Sequence, residues 1–222
     1  VLGAPNRKTG DWKMEGGTLA VNQSGPHEGV ALPVDLPESY DLSLRMRTEG
    51  LGISHAGVLF PVAGRLMKVN TVQRGGGPAG YTVVSKIATG SQTPEHVRFA
   101  PSFLQAEVER LVEIAVRQGG DNASITVKAD GQNVFEWSGP KDKLADDDAH
   151  GGHSPAGKIP LTASMNANAT YRDIRARRVT GTKAARQARS HARAAAGASP
   201  PEATAPRTNG VAISAPASAC DI

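Results

Sequence analysis

The sequence predicts an all-β protein: a two-sheet antiparallel β-sandwich followed by a disordered basic C-terminal tail. Short apolar segments alternate through the first 180 residues with turn signals made of Gly, Pro and Asp. No long segment has helical periodicity, and strand-like and helix-like segments do not alternate as a parallel sheet requires. A chain of this length buries roughly 70% of its unfolded surface in one sandwich, which is enough for independent stability.

The clearest strand is "YDLSLRMR", in which Tyr40, Leu42, Leu44 and Met46 alternate with polar residues. A period of two is typical of an antiparallel strand with one buried face. The same criteria predict eleven strands: Thr18–Val21, Gly29–Leu32, Tyr40–Thr48, Ala56–Val62, Arg65–Val72, Tyr81–Ile87, Leu111–Arg117, Ala123–Lys128, Asn133–Trp137, Lys158–Leu161 and Thr170–Val179.

The segment "ERLVEIAVRQ" fits both a helix and a strand. Leu111, Ile114 and Ala115 have helical spacing, but Val112, Ile114 and Val116 put every β-branched residue on one face of a strand. We therefore predict a strand.

The hairpin "ITVKADGQNVFEW" raises the question of whether Trp137 stacks on a ligand or packs in the core. A two-residue turn at Asp130-Gly131 pairs Val127 with Val134 and mixes apolar and polar residues on each face. A three-residue loop that includes Gln132, with a type I turn and a G1 bulge, pairs Ile125 with Trp137 and puts both on the core face. We predict this loop, and with it a core position for Trp137 near the end of the sandwich.

The basic character of the chain belongs to its C-terminal segment. Residues 181–222 hold five basic and two acidic residues, which is +3 of the formal net charge of +4. The other 180 residues hold 20 basic and 19 acidic side chains, an ordinary mixed surface rather than one that recognises nucleic acid. We predict a folded domain over residues 1–180 and a disordered tail over residues 181–222, with a transient helix over 182–197.

Composition leaves few other classes of function. No apolar stretch approaches the ~18 residues of a membrane span, and the single cysteine, Cys220, excludes an intrachain disulfide. We expect the tail to be a linker to another domain of a longer protein, or a free end, rather than a segment that recruits an acidic partner. A scaffold that recruits such a partner through its tail remains an alternative.

The order of motifs resembles a known family. Trp12 before "EGGTLAV", the segment "LPVDLPESYDLSLRMR", the Asp-Gly hairpin with its Trp strand and the closing "YRDIRARRVTG" are similar to those of concanavalin A-like jelly-roll domains. Among these, the chain resembles the planctomycete-type 3-keto-disaccharide hydrolase-like and laminin-G-like domains, from about Trp12 to Val179. The resemblance implies a bacterial, extracytoplasmic or cell-envelope-associated protein that either binds or cleaves carbohydrate.

Two carboxylates are candidates for catalysis. A glycosidase needs a pair of carboxyl groups about 5–9.5 Å apart. Glu107 and Glu109 have the spacing that puts both on one face of a strand, although charged residues at such a place are more often solvated.

The loop "KDKLADDDAHGGHSPAGK" is the most polar part of the predicted domain and the candidate ligand-binding loop. Its oxygen and imidazole groups are candidate ligand contacts, and two of its carboxylates are candidate ligands of a Ca²⁺ ion, although their spacing fits no defined metal site. The candidate ligand-binding residues are Asp146, Asp147, Asp148, His150 and His153, and the candidate metal ligands are Asp146 and Asp148.

The sequence thus favours a non-catalytic module that binds a carbohydrate or another polar ligand. The alternative is a glycoside hydrolase of the 3-keto-disaccharide type that uses carboxylates of the loops at the rim. No motif for a nucleophilic serine or a phosphate-binding loop supports other enzyme classes.

Overall fold

The structure is a computed structural model that describes residues 7–9, 11–22, 28–49, 54–73, 81–87, 95–99, 108–145, 159–164 and 167–180. These residues form fourteen strands and one short 3-10 turn, Lys141–Lys143. The predicted tail, residues 181–222, lies outside the described residues, so the division at residue 180 stays a prediction.

The strands form two seven-stranded antiparallel sheets. Sheet A has the order β1 (Arg7–Thr9), β4 (Glu28–Leu32), β13 (Ile159–Ser164), β6 (Ser54–Val62), β7 (Arg65–Gln73), β8 (Tyr81–Ile87), β9 (Glu95–Phe99). Sheet B has the order β12 (Gln132–Pro140), β11 (Asn122–Ala129), β10 (Arg110–Gly119), β5 (Tyr40–Glu49), β14 (Asn168–Arg178), β3 (Thr18–Val21), β2 (Trp12–Glu15). The predicted fold, a two-sheet antiparallel β-sandwich, is confirmed.

All eleven predicted strands are present, with ends that differ by at most three residues. The sequence did not predict β1, β2 and β9, which have three to five residues each. These strands, RKT, WKME and EHVRF, are rich in charged residues and lack the apolar segments that identified the equally short β3 and β4.

The core lies between the two sheets and follows the predicted alternation. In β5, Tyr40, Leu42, Leu44 and Met46 are all at most 1% exposed, while the residues between them face outward. In β10 the β-branched residues Val112, Ile114 and Val116 are buried, which confirms the strand over the helix.

The β11–β12 hairpin corrects one prediction. Ile125 pairs with Trp137 as predicted, but the turn has two residues, not three. Asp130 and Gly131 have φ angles of 48° and 79°, the left-handed values of a type I′ turn, whose twist matches that of the flanking strands. The extra residue lies in a bulge of β12, where the register shifts between Val127 and Lys128.

Trp137 lies on the core face, as the register predicted. Its side chain is partly buried and packs against the core, and its indole lies over Gly139, where a Cβ atom would come within 3.0 Å of the ring. The residue contributes to the closure of sheet B at its β12 edge.

Candidate functional site

The two sheets differ in the face that they turn away from the core. On sheet A the register places a second set of side chains outward, yet these side chains are buried: Ala31, Leu59, Lys68, Asn70 and Thr162. On sheet B the outward side chains of the five strands from β12 to β14 are half-buried or exposed over most of their length. Over the residues that the structure describes, the outward face of sheet B is therefore the one that a ligand can reach.

A groove of about 640 Å³ runs over this outward face of sheet B. Its floor consists of the small side chains Ser43, Ala115 and Thr126, on the central strands β5, β10 and β11. Longer polar side chains surround the floor: Asp41, Glu113, Arg117, Lys128, Asn133, Glu136, Arg175 and Arg177. The volume lies within the range of about 300–1,000 Å³ that is typical of small-ligand sites.

Strand register places these side chains in two rows across the sheet. One row runs Asn133, Lys128, Glu113, Ser43, Arg175, and the next runs Glu136, Thr126, Ala115, Asp41, Arg177. The short side chains Thr126 and Ala115 of the second row and Ser43 of the first leave the space, and the longer side chains around them form the walls.

Two bulges are responsible for the walls. The β12 bulge puts both Asn133 and Glu136 opposite outward residues of β11. In β14 three steps from Arg172 to Arg175 match two steps of β5, and Asp173 within this bulge has a φ of 53°. Without it, Arg175 would share the inward face of Tyr171.

The Asp41 carboxylate holds one end of the groove together. It accepts hydrogen bonds from Arg117 of β10 and from Arg177 Nη2 of β14, the latter at 2.6 Å. Arg117 Nη1 also donates to the backbone oxygens of Tyr40 and Val116 at 2.8 and 2.9 Å. Burial raises the pKa of Asp41, but the hydrogen bonds and charges of the two arginines outweigh it, so that the pKa lies below the usual 3.8.

Three charged side chains of the groove differ from Asp41 in having no ion pair with any described residue. They are Glu113, Lys128 and Arg175. Although Glu113 pairs with Lys128 across the strands, their charged groups do not meet. These groups remain available for an external ligand.

Of the predicted catalytic pair, the structure describes Glu109. It lies just before β10 and accepts two hydrogen bonds from Arg172, from Nε and Nη2, both at 2.6 Å. Arg45 Nη1 lies 3.6 Å from its Oε1. The hydrogen bonds from Arg172 are the main reason that the pKa of Glu109 is lowered, so its carboxyl group is held ionised. It does not line the groove.

The other predicted site residues lie outside the described residues: Glu107, Asp146, Asp147, Asp148, His150 and His153. Their roles stay predictions, as does Ca²⁺ binding. Over the ranges that the structure describes, no group of three or more His, Cys, Asp or Glu side chains has the arrangement of a metal site. In the same ranges, no helix has the length and hydropathy needed to cross a membrane.

The groove was not predicted from the sequence. The sequence feature that could have indicated the groove is the alternation in "YDLSLRMR", because it puts Asp41 and Ser43 on the outward face. Arg175 and Arg177 were hidden because the strand pattern assumed regular alternation, and the β14 bulge changes their face.

No protein-family model matches the chain, and no curated protein sequence is similar to it. Solved structures are similar in fold. They include the carbohydrate-binding module CBM66 from Bacillus subtilis, 10% identical, covering 78% of this chain and 94% of that chain, with a TM-score of 0.46. A β-glucanase from Bacillus licheniformis is 11% identical over 76% of this chain and 82% of its own, with a TM-score of 0.49. A legume lectin-like domain from Entamoeba histolytica is 10% identical, covering 78% of this chain and 90% of that chain, with a TM-score of 0.49.

These similar structures are concanavalin A-like, jelly-roll sandwiches. Identities of 10–11% concern the general arrangement of strands and transfer no site residue, ligand or reaction. The narrower resemblance to 3-keto-disaccharide hydrolase-like and laminin-G-like domains stays a prediction.

Proposed function

We propose that the protein is a non-catalytic carbohydrate-binding module that holds a saccharide in the groove of sheet B. The observation that carries the proposal is the groove itself: an accessible trough with a floor of Ser43, Ala115 and Thr126 between walls of charged and amide side chains. Its length across five strands suits an extended chain of sugar rings better than a compact ligand, since neighbouring strands lie about 4.8 Å apart.

The groove offers both kinds of partner that sugar hydroxyls need. Carboxylates such as Glu113 accept hydrogen bonds, while Lys128 and Arg175 donate them. Among the described residues, no aromatic side chain lines the groove, so stacking on a sugar face does not contribute there. We therefore expect binding that depends on hydrogen bonds and is weak for a single sugar ring.

One feature favours binding over cleavage. A glycosidase needs a carboxylic acid that stays protonated near neutral pH, whereas Asp41 and Glu109 both have a lowered pKa.

Filling the floor tests the proposal. We expect Ala115→Tyr to abolish saccharide binding on a glycan array and in titration calorimetry, because the new ring occupies the centre of the groove. Ala20→Tyr is the matched control, since Ala20 is a small outward residue of the same sheet outside the groove. Tyr suits a strand surface, so both variants should fold. Equal binding by the two variants would place the ligand elsewhere.

The hydrolase alternative needs a separate measurement. The wild-type protein should leave keto-disaccharides and ordinary disaccharides intact over a long incubation. Turnover that disappears in Glu113→Gln, Glu136→Gln or Glu109→Gln would contradict the non-catalytic proposal and identify the carboxylate involved.

A further inference from the structure

We propose that the saccharide bound in the groove is acidic, and that Arg175 together with the Ser43 hydroxyl binds its carboxylate or sulfate group. This inference rests on the proposed function and names the chemical class of the ligand. It starts from the outward arginines of β14 and the anions that face them.

Three arginines follow one another on the outward face of β14, namely Arg172, Arg175 and Arg177. The first is paired with Glu109 by two hydrogen bonds of 2.6 Å. The last donates to Asp41 at 2.6 Å.

Arg175, between them, faces Ser43 across the strand pair and has no carboxylate partner among the described residues. An anionic group of the ligand would give Arg175 the kind of partner that Arg172 has in Glu109 and Arg177 has in Asp41. The hydroxyl of Ser43 supplies a second donor beside the guanidinium group.

The charges of the groove are distributed unevenly from one wall to the other. The β14 wall carries Arg175 and Arg177 without a carboxylate of its own, whereas the β10–β12 side carries the carboxylates Glu113 and Glu136 together with the cations Arg117 and Lys128. An acidic sugar matches this arrangement, because it presents an anionic group at one edge of the ring and hydroxyl donors at the other. A neutral sugar leaves Arg175 without a counter-charge, whereas Arg177 already has Asp41.

The net charge of the whole groove agrees with an acidic ligand. Four cations line it, Arg117, Lys128, Arg175 and Arg177, against the three anions Asp41, Glu113 and Glu136, an excess of one positive charge. Asp41 is already shared by two of the arginines. Arginine suits the role because its planar fork of donors matches carboxylate and sulfate oxygens.

Binding of a charged sugar and its neutral ester tests the inference directly. The probes are an oligogalacturonide, the same oligosaccharide as its methyl ester, and a sulfated galactan oligosaccharide, titrated by calorimetry. The wild-type protein should bind at least one acidic probe about tenfold more tightly than the ester. The preference should shrink as salt rises from about 0.05 to 0.5 M, because an exposed charge pair is screened. The stronger of the two acidic probes distinguishes carboxylate from sulfate.

Variants locate the effect at one side chain. Arg175→Gln should remove the preference for the acidic probe, with about a tenfold loss of affinity for it and little change for the ester. Arg175→Lys should restore part of the loss. Arg178→Gln is the matched control, because Arg178 is an exposed arginine of the same strand that does not line the groove. It should leave both affinities unchanged.

The outcomes separate this inference from the proposed function. Equal affinity for acid and ester, or an equal loss for both in Arg175→Gln, overturns the acidic ligand while the groove remains a saccharide site. Binding that Arg178→Gln weakens as much as Arg175→Gln overturns the assignment to Arg175. Failure of every acidic and neutral saccharide to bind overturns both proposals.

Discussion

Asp41 shows how one residue can organise the outward face of a sheet. Its carboxylate joins β10 to β14 through Arg117 and Arg177, two residues that are 76 and 136 positions away in the sequence. Arg117 is only 11% exposed in its side chain, so the carboxylate compensates a largely buried cation. The two ion pairs of Asp41, with Arg117 and with Arg177, hold this end of the groove together without a ligand.

We expect Asp41→Asn to destabilise the protein by about 2 kcal/mol at pH 7, because it leaves a part-buried cation without its counter-charge. The pKa of Asp41 is lower in the folded protein than the usual 3.8, so its contribution is present above that pH and is lost as pH falls through the folded value. The difference in melting temperature between wild type and variant should therefore be about 4–8 °C at neutral pH and should shrink below pH 4.

Glu113→Gln is the control for this effect. Glu113 is an outward carboxylate of the same groove without an ion pair in the described part of the chain. Its removal should change stability by less than about 0.5 kcal/mol. A gap between wild type and Asp41→Asn that stays constant down to pH 2.5 would contradict the role given to the carboxylate.

At the scale of the strand, the bulges of β12 and β14 convert a regular sheet into a groove with long polar walls. Each adds one residue to a strand that borders the groove, and each changes which side chains face outward. Bulges are common beside functional sites for this reason. The β14 bulge depends on Asp173, whose left-handed backbone suits Gly, Asn or Asp and not a β-branched residue.

Asp173→Val and Asp173→Gly form a matched pair that tests the β14 bulge. Both variants lose the contacts of the carboxylate with Arg45 and Arg172, which are 3.5 Å long, exposed and worth little. Only Val opposes the positive φ, so we expect it to be about 1–2 kcal/mol less stable than the Gly variant in urea denaturation. Saccharide binding should weaken in Asp173→Val because Arg175 loses its orientation. Equal stability of the two variants would mean that the bulge does not depend on this residue.

The strands show what could and could not be predicted from the sequence. Alternation over eight or more residues, as in β5 and β10, predicted both the strand and its buried face correctly. The hairpin turn was wrong because the prediction put the extra residue in the loop, as a type I turn with a G1 bulge, whereas the structure has a two-residue turn and puts the extra residue in a bulge of β12. The groove depends on the same departures from regularity and on ion pairs between distant segments, which periodicity does not contain.

At the scale of the whole molecule, two buried tyrosines of sheet B connect it to sheet A. Tyr40 Oη donates to the Pro61 oxygen at 2.8 Å, and Tyr171 Oη donates to the Thr162 oxygen at 2.8 Å. Burial raises the pKa of both phenols, so they remain donors at every ordinary pH. Tyr171 Oη also lies 3.3 Å from the Gly57 oxygen, four residues along β6 from Pro61, so the two connections are about 13 Å apart.

We expect Tyr40→Phe and Tyr171→Phe each to lower the free energy of unfolding by about 1–2 kcal/mol, because each leaves a polar group of sheet A without its donor. At this separation the double variant should lose the sum of the two single effects to within about 0.5 kcal/mol. Urea denaturation followed by tryptophan fluorescence measures all four proteins.

The two tryptophans make that measurement specific to each end of the sandwich. The Trp12 ring lies 5.9 Å from the Tyr171 ring, whereas Trp137 lies in the row of strand partners that contains Tyr40. In single-tryptophan proteins made by Trp12→Phe or Trp137→Phe, both reporters should give the same midpoint, because one core joins the two ends. If Tyr40→Phe shifts only the unfolding midpoint reported by Trp137, the two ends of the sandwich unfold separately. The groove over the Tyr40 end is then stabilised by its own ion pairs rather than by the common core.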